Sequence, residues 1–236
     1  MNATIFEEFL QKVDLNKYRI KYQPIKLVEM DMPRNIQALD ALYEVYWTQR
    51  RVLGFEDFYE YYKNSCTKEI EGFRQKTTMC SECFYRGLPA RIYRTWASII
   101  TQIHAGYVAE QVFGSGSVSM STELDHKGID FSAQVDGTYL YYQVKKATHS
   151  REVRVSKKVD SQNIDIILIE YEVPGAAVFA APYKRDGTYK AAYSRFIQNK
   201  SIKRLPNGFV VFTPYMFEQK KAELLAGGGA SYKAFR

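Results

Sequence analysis

Gly128 to Lys146 reads GIDFSAQVDGTYLYYQVKK. Two apolar runs flank Asp136-Gly137, a pair that signals a two-residue type I′ hairpin turn, because both central positions of that turn take positive φ. The turn sets the pairing: Val135 falls opposite Thr138, Phe131 opposite Tyr142 and Asp130 opposite Gln143. Directly opposed residues share one face of the sheet, with Cβ atoms roughly 5 Å apart. Lys145, two residues beyond Gln143, lies on that face as well. Phe131, Ala133, Val135, Leu140, Tyr142 and Val144 take the other face, which is apolar enough to be a core face. The expected hairpin therefore gathers an acid, an amide and an ammonium on its polar side. A β-bulge would shift this pairing by one residue.

Upstream, ARIYRTWASIITQIHAGYVAEQVF reads as one long helix with Ile92, Trp96, Ile99, Ile103 and Tyr107 as its apolar stripe. GSGS ends it, and VSMST reads as a strand. Residues 1–87 are dense in Tyr, Glu, Lys and Arg; IFEEFLQKV and ALYEVYWTQRRVL space their apolar residues by three and four, the pattern of short amphipathic helices. Gln23-Pro24 and Met32-Pro33 interrupt it. Downstream of the hairpin comes a basic loop, THSREVRVSKK. IDIILIEY is expected to be a buried strand from its continuous apolar run. AAVFAAP and GFVVFT are expected as further strands, YKAAYSRFIQN and YMFEQKKAELLA as helices, and GGGASYKAFR as a loose tail. Strands interspersed with helices predict an α/β sheet domain. No linker separates independent domains, so the expected organisation is one compact unit: a helical region, 1–87, packed on a core, 88–236.

The 236 residues are 46% hydrophobic, enough for a substantial core. The net charge of +7 is a mild pointer to a polyanionic partner. No apolar run reaches the roughly 18 residues of a membrane helix. The opening MNATIFEEFLQKVDLNKY carries acids early and lacks an apolar signal core, so a cytoplasmic protein with no membrane partner is expected. Three cysteines, an odd count, argue against a disulfide framework. Cys80 and Cys83 form a CxxC with Cys66 upstream and His104 downstream; zinc would want a second such pair at tight spacing, and two reduced thiols near a turn is the favoured reading.

An aspartate is a hard oxygen ligand for magnesium, and a nearby lysine can orient a water or meet developing charge on a phosphate. That set, on two paired strands, is the arrangement of the PD-(D/E)xK nucleases, with Gln143-Val144-Lys145 in place of the usual Asp/Glu-x-Lys. An amide oxygen brings no negative charge, so Asp130 and Gln143 should hold Mg2+ more weakly than two carboxylates. Glu123 and Asp125, in TELDHKGID, and Glu110, three residues after Tyr107, are further candidate metal-site acids; each also reads as a surface or ion-pair acid. The competing reading of the whole set is an exposed hairpin face.

Six segments occur in order: KYQPIKLVEMDMPR, GFEDFYEYY, RGLPARIYRTWASIITQIHAGY, ELDHKGIDF, QVKK and LPNGFVVF. On these the chain resembles the TaqI family of type II restriction endonucleases over most of its length. The resemblance implies a Mg2+-dependent deoxyribonuclease that cuts both strands of double-stranded DNA at a short palindromic site, TCGA in the family's type member or a close relative, leaving 5′-phosphates. It implies a PD-(D/E)xK core, a central mixed β-sheet flanked by helices, with a helical N-terminal region. Its matching catalytic positions are Asp130, Gln143 and Lys145, and the family also has glutamine where other nucleases have glutamate. The likeness is weak around GYVAEQVFGSGS and after QVKK, and the CxxC lies outside the family pattern.

DNA binding is expected to use Lys146, Arg151, Arg154, Lys157 and Lys158, beside the catalytic strand, through salt-sensitive phosphate contacts, with His149 as a further candidate that also reads as an idle loop histidine; the competing reading is a solvated basic loop. A palindromic target implies a homodimer on DNA, and restriction chemistry implies a cognate DNA methyltransferase as functional partner. Two other readings stay open: a repair or structure-specific nuclease on the same frame, and a non-catalytic DNA-binding module in which Asp130 and Lys145 form a surface ion pair.

Overall fold

The computed structural model describes residues 1–14, 17–18, 21–22, 32–33, 36–147 and 165–226. They group into two compact units: 1–104 with 120–122 and 205–209, and the remainder of the chain.

The first unit is helical. It contains α1 (Ala3–Gln11), α2 (Leu39–Leu42) running into a π-helical stretch Tyr43–Thr48, α3 (Phe55–Ser65), α4 (Thr67–Lys76), and the 81–104 part of α5 (Ser81–Phe113). Apolar residues spaced by three or four turn inward, as with Phe6 and Leu10, Phe55, Phe58 and Tyr62, and Ile70 and Phe73. The rings of Tyr18, Phe55, Tyr93 and Trp96 meet at centroid distances of 5.1 to 6.5 Å. The buried Trp96 indole donates to the Tyr46 hydroxyl at 2.8 Å, and that hydroxyl donates to the Leu53 carbonyl at 2.7 Å. The tyrosines of this region are thus largely packing residues whose polar ends find partners. Asn207 donates to the carbonyls of Leu10 and Val13 at 2.6 and 2.9 Å, satisfying acceptors at the end of α1.

Helix α5 starts earlier than its apolar stripe suggests, because CSEC belongs to its first turn. Cys80 Sγ accepts the Cys83 N–H at 3.3 Å, so the first cysteine caps the helix. All three cysteines are free thiols. Among the described residues, no helix is long and apolar enough to cross a membrane.

The second unit carries the sheet: β1 (Val118–Ser119), β2 (Phe131–Val135), β3 (Thr138–Ala147) and β4 (Ile166–Glu172), in spatial order β1-β2-β3-β4. β1, β2 and β3 pair antiparallel, and β4 runs parallel to β3. It is a mixed sheet in an α/β protein. The β2–β3 register runs from Val135↔Thr138 to Phe131↔Tyr142, and Asp136 and Gly137 hold φ of 47° and 78°, as the type I′ turn requires. The remaining elements are α6 (Thr122–His126), α7 (Ala176–Ala180), α8 (Ala191–Gln198), the pair β5 (Ile202–Arg204) and β6 (Val210–Phe212), and α9 (Tyr215–Ala226). The hairpin's apolar face is buried throughout. On it the Phe131 and Tyr142 rings stack at 4.8 Å, and Phe217 of α9 meets Tyr142 at 5.7 Å and Phe113 at 6.0 Å.

Two expectations change. AAVFAAP is not a strand: Ala176–Ala180 is the helix α7, led in by Gly175, because alanine favours helix and the segment finds no strand partner. IDIILIEY is a strand, but only Ile169 is deeply buried, and Leu168 is 46% exposed. β4 is last in the sheet order among the described residues, so a continuous apolar run here does not mean that both faces are covered. The greater part of the basic loop after QVKK, and the Gly-rich tail, lie outside the described residues.

Candidate active site

β3 presents Gln143 and Lys145 on the face opposite Tyr142 and Val144, and both are half-buried. Asp130 stands just before β2. Its N–H donates to the Tyr142 carbonyl at 2.8 Å, yet Tyr142 is already the register partner of Phe131. Two successive residues of one strand therefore address one residue of the other, as in a β-bulge. The Asp130 carboxylate accepts the Val144 N–H at 2.5 Å. That N–H lies in the plane of the sheet, past the last paired residue of β2, and the side chain replaces the missing strand partner. This corrects the direct opposition of Asp130 and Gln143 on the polar face. The bulge turns the acid into line with the sheet, leaves it 6% exposed, and seats it on the residue between Gln143 and Lys145.

Burial pushes the Asp130 carboxyl up to about 7. The Val144 N–H opposes that rise, the charge of Asp125 adds to it, and the Lys145 ammonium again lowers it. Asp125 is thereby identified as an electrostatic neighbour. It lies half-buried in α6, and its carbonyl accepts the Gly128 N–H at 2.9 Å, closing the turn that feeds Asp130 into the sheet. Glu123, on the same short helix, is exposed. The Glu110 carboxylate accepts the Gly116 N–H at 3.0 Å in the turn that ends α5. Lys146 is exposed and registers with Tyr171. The Tyr171 hydroxyl is pushed up to about 12, first by burial and then by the charge of Asp130. His149, Arg151, Arg154, Lys157 and Lys158 lie outside the described residues.

Glu170 was not anticipated. It is the register partner of Lys145 on β4, and residues in register on parallel strands share a face, so this exposed carboxylate lies alongside the lysine. Its signal was an acid inside an otherwise apolar run.

Among the described residues, no group of three or more His, Cys, Asp or Glu gathers as a ready-made metal cage. The donors near Asp130 nevertheless suit a hard divalent cation. They are two carboxylates, Asp130 and Asp125, and the amide oxygen of Gln143. Burial disfavours the ionised form of Asp130, and a cation beside it would favour that form again.

The model of the TaqI restriction endonuclease family matches residues 3–221. Type II restriction enzyme TthHB8I of Thermus thermophilus is 34% identical over 216 residues, covering 88% of this chain and 82% of the relative. Type II restriction enzyme TaqI of Thermus aquaticus is 33% identical over 237 aligned positions, covering 94% and 90%. No solved structure matches the chain. A mixed α/β protein with an acid, an amide and a lysine on one hairpin thus stands among the type II restriction endonucleases, which are site-specific nucleases. The chain belongs to the TaqI restriction endonuclease family.

Proposed function

We propose that this chain hydrolyses phosphodiester bonds in both strands of duplex DNA at a short palindromic site, TCGA or a close relative, leaving 5′-phosphates. The observation that carries the site assignment is the seat of the Asp130 carboxylate on the Val144 N–H, between the two residues of the QxK motif. The hairpin and the parallel β4 are read as the central part of a PD-(D/E)xK core. Asp130 and Gln143 would hold Mg2+, with Asp125 as a further acid whose charge reaches Asp130. When bound, the ion lowers the pKa of a water and stabilises charge on the phosphate. Asp130 supplies the anionic oxygen and is poised to ionise as positive charge arrives. Gln143 adds a neutral oxygen that orients without adding charge. Lys145 holds the attacking water in line with the scissile phosphorus and meets the growing negative charge. Glu110, tied to Gly116, and the exposed Glu123 are not needed by this set. Two copies acting about a two-fold axis suit a palindrome, and a cytoplasmic setting with a cognate methyltransferase suits the activity.

The test is plasmid digestion in Mg2+ with sequencing of the ends. Wild type should give discrete ends at one motif, and EDTA should abolish them. Asp130→Asn and Lys145→Ala should each lose cutting by more than about a thousandfold while still binding duplex. Cutting retained by either variant removes the site assignment. Ends scattered over branched or damaged DNA favour a structure-specific nuclease, and binding with no Mg2+-dependent nicking favours a non-catalytic module.

A further inference from the structure

The chain carries a net charge of +7 over 236 residues, and the segment 182–204 alone holds seven Lys or Arg against one Asp. A net +6 in 23 residues is a concentration, not an average. The segment is well defined. Tyr183 and Tyr189 form an antiparallel bridge, their rings stack at 4.9 Å, and they remain 55% and 40% exposed. Between them the chain turns tightly at Gly187, with φ of 81°. The one acid, Asp186, is spent on that turn, accepting from the Thr188 N–H at 2.9 Å and its hydroxyl at 2.6 Å. Lys184 and Arg185 are thereby presented at an exposed tip, with Lys190 at its base. Among the described residues, none of these three has an ion-pair partner.

The hairpin is anchored. Tyr189 meets Tyr193 of α8 at 5.1 Å, Phe179 of α7 meets Tyr193 and Phe196 at 6.1 and 5.2 Å, and the Arg204 guanidinium lies 4.4 Å over the Phe179 ring. Arg195 makes a two-point contact to Glu172, at 2.8 and 3.0 Å. Glu172 lies on β4 two residues beyond Glu170, the register partner of Lys145. Asn199, Ser201 and Ile202 share a small cleft with Leu168, Glu170 and Tyr171. The basic segment is therefore built onto the strand that flanks the QxK strand.

We propose that the tip 183–190 is a duplex-DNA contact, additional to the one expected of Lys146 to Lys158, with Lys184, Arg185 and Lys190 on backbone phosphates. It rests on reading the chain as a DNA nuclease. Phosphates suit it because the cations are concentrated, Lys184 and Arg185 are exposed, and the turn that carries them is stiffened by stacked rings, so little backbone freedom remains to be lost on binding.

The test is a salt titration of duplex binding without metal, between about 50 and 200 mM salt. It uses the full chain carrying Lys184→Ala, Arg185→Ala and Lys190→Ala together, and a control with Lys12→Ala, Lys68→Ala and Lys76→Ala that removes equal charge from the first unit. The tip variant should bind about 10- to 100-fold more weakly, with a log–log salt slope shallower by about 2 to 3, while the control keeps the wild-type slope. Thermal melting should give closely similar midpoints, since Lys184 and Arg185 are exposed and Lys190 is only half-buried. Wild-type affinity and slope in the tip variant, or an equal loss in the control, overturns the proposal. Discrete cutting by wild type with an unaffected tip variant sinks this inference alone. Duplex binding lost in the tip variant, with no cutting by wild type, sinks the nuclease reading alone, and no duplex binding by wild type sinks both.

Discussion

Asp130 is a carboxylate whose position costs stability at neutral pH. Its folded pKa, about 7, lies above the ordinary 3.8, so the folded state keeps a proton that the unfolded state loses. Stability therefore falls as pH rises from about 4 to about 7 and levels off above that. Asp130→Asn keeps an acceptor for the Val144 N–H and removes the buried charge. It should raise stability at pH 8 by about 2–4 kcal/mol and leave it nearly unchanged at pH 4, read from denaturant melts at both pH values. Addition of Mg2+ at pH 8 should raise the wild-type midpoint and leave that of Asp130→Asn unmoved. The residue types of this candidate site were legible in the sequence, because a D-G turn places the start of one strand beside the end of the other and alternation puts amide and lysine on one face. Its burial was not, because one bulged residue redirects the side chain.

At the scale of elements, the hairpin depends on its turn. Gly137 sits at φ of 78°, a region that a side chain strains. Gly137→Ala should cost about 1–2 kcal/mol, a fall of a few degrees in thermal midpoint, and should reduce cutting only through the folded fraction. The CxxC belongs to a helix start. Cys80→Ser keeps a capping atom and should leave the thermal midpoint within about a degree or raise it slightly, and a zinc chelator should not change the midpoint; a large fall in either experiment would restore a metal role. The long helix, β3 and the two C-terminal helices were legible from period and length. AAVFAAP was misread because so short an apolar run carries no usable period, and Thr122–His126 was too short to announce itself as a helix.

For the whole molecule, the proposed palindromic target makes a stoichiometric prediction. Sedimentation with a self-complementary duplex should give two chains per duplex, and a complex of one chain per duplex that cuts both strands would end the two-fold reading. The described residues form two compact units, and the acid, amide and lysine all belong to the second. That unit also carries the concentration of charge in 182–204, which the overall figure of +7 conceals.

Sequence alone determined the hairpin and its register from Val135↔Thr138 to Phe131↔Tyr142, and offered Asp130, Gln143 and Lys145 as the candidate set. Those depend on neighbouring residues, a two-residue turn and the alternation of side chains along a strand. Tertiary structure alone decided that Asp130 is buried on Val144, that the charge of Asp125 reaches it, and that Glu170 lies beside Lys145. Each of these depends on where a bulge falls or on which strand lies alongside, and such pairings between distant segments leave no local trace in the order of residues.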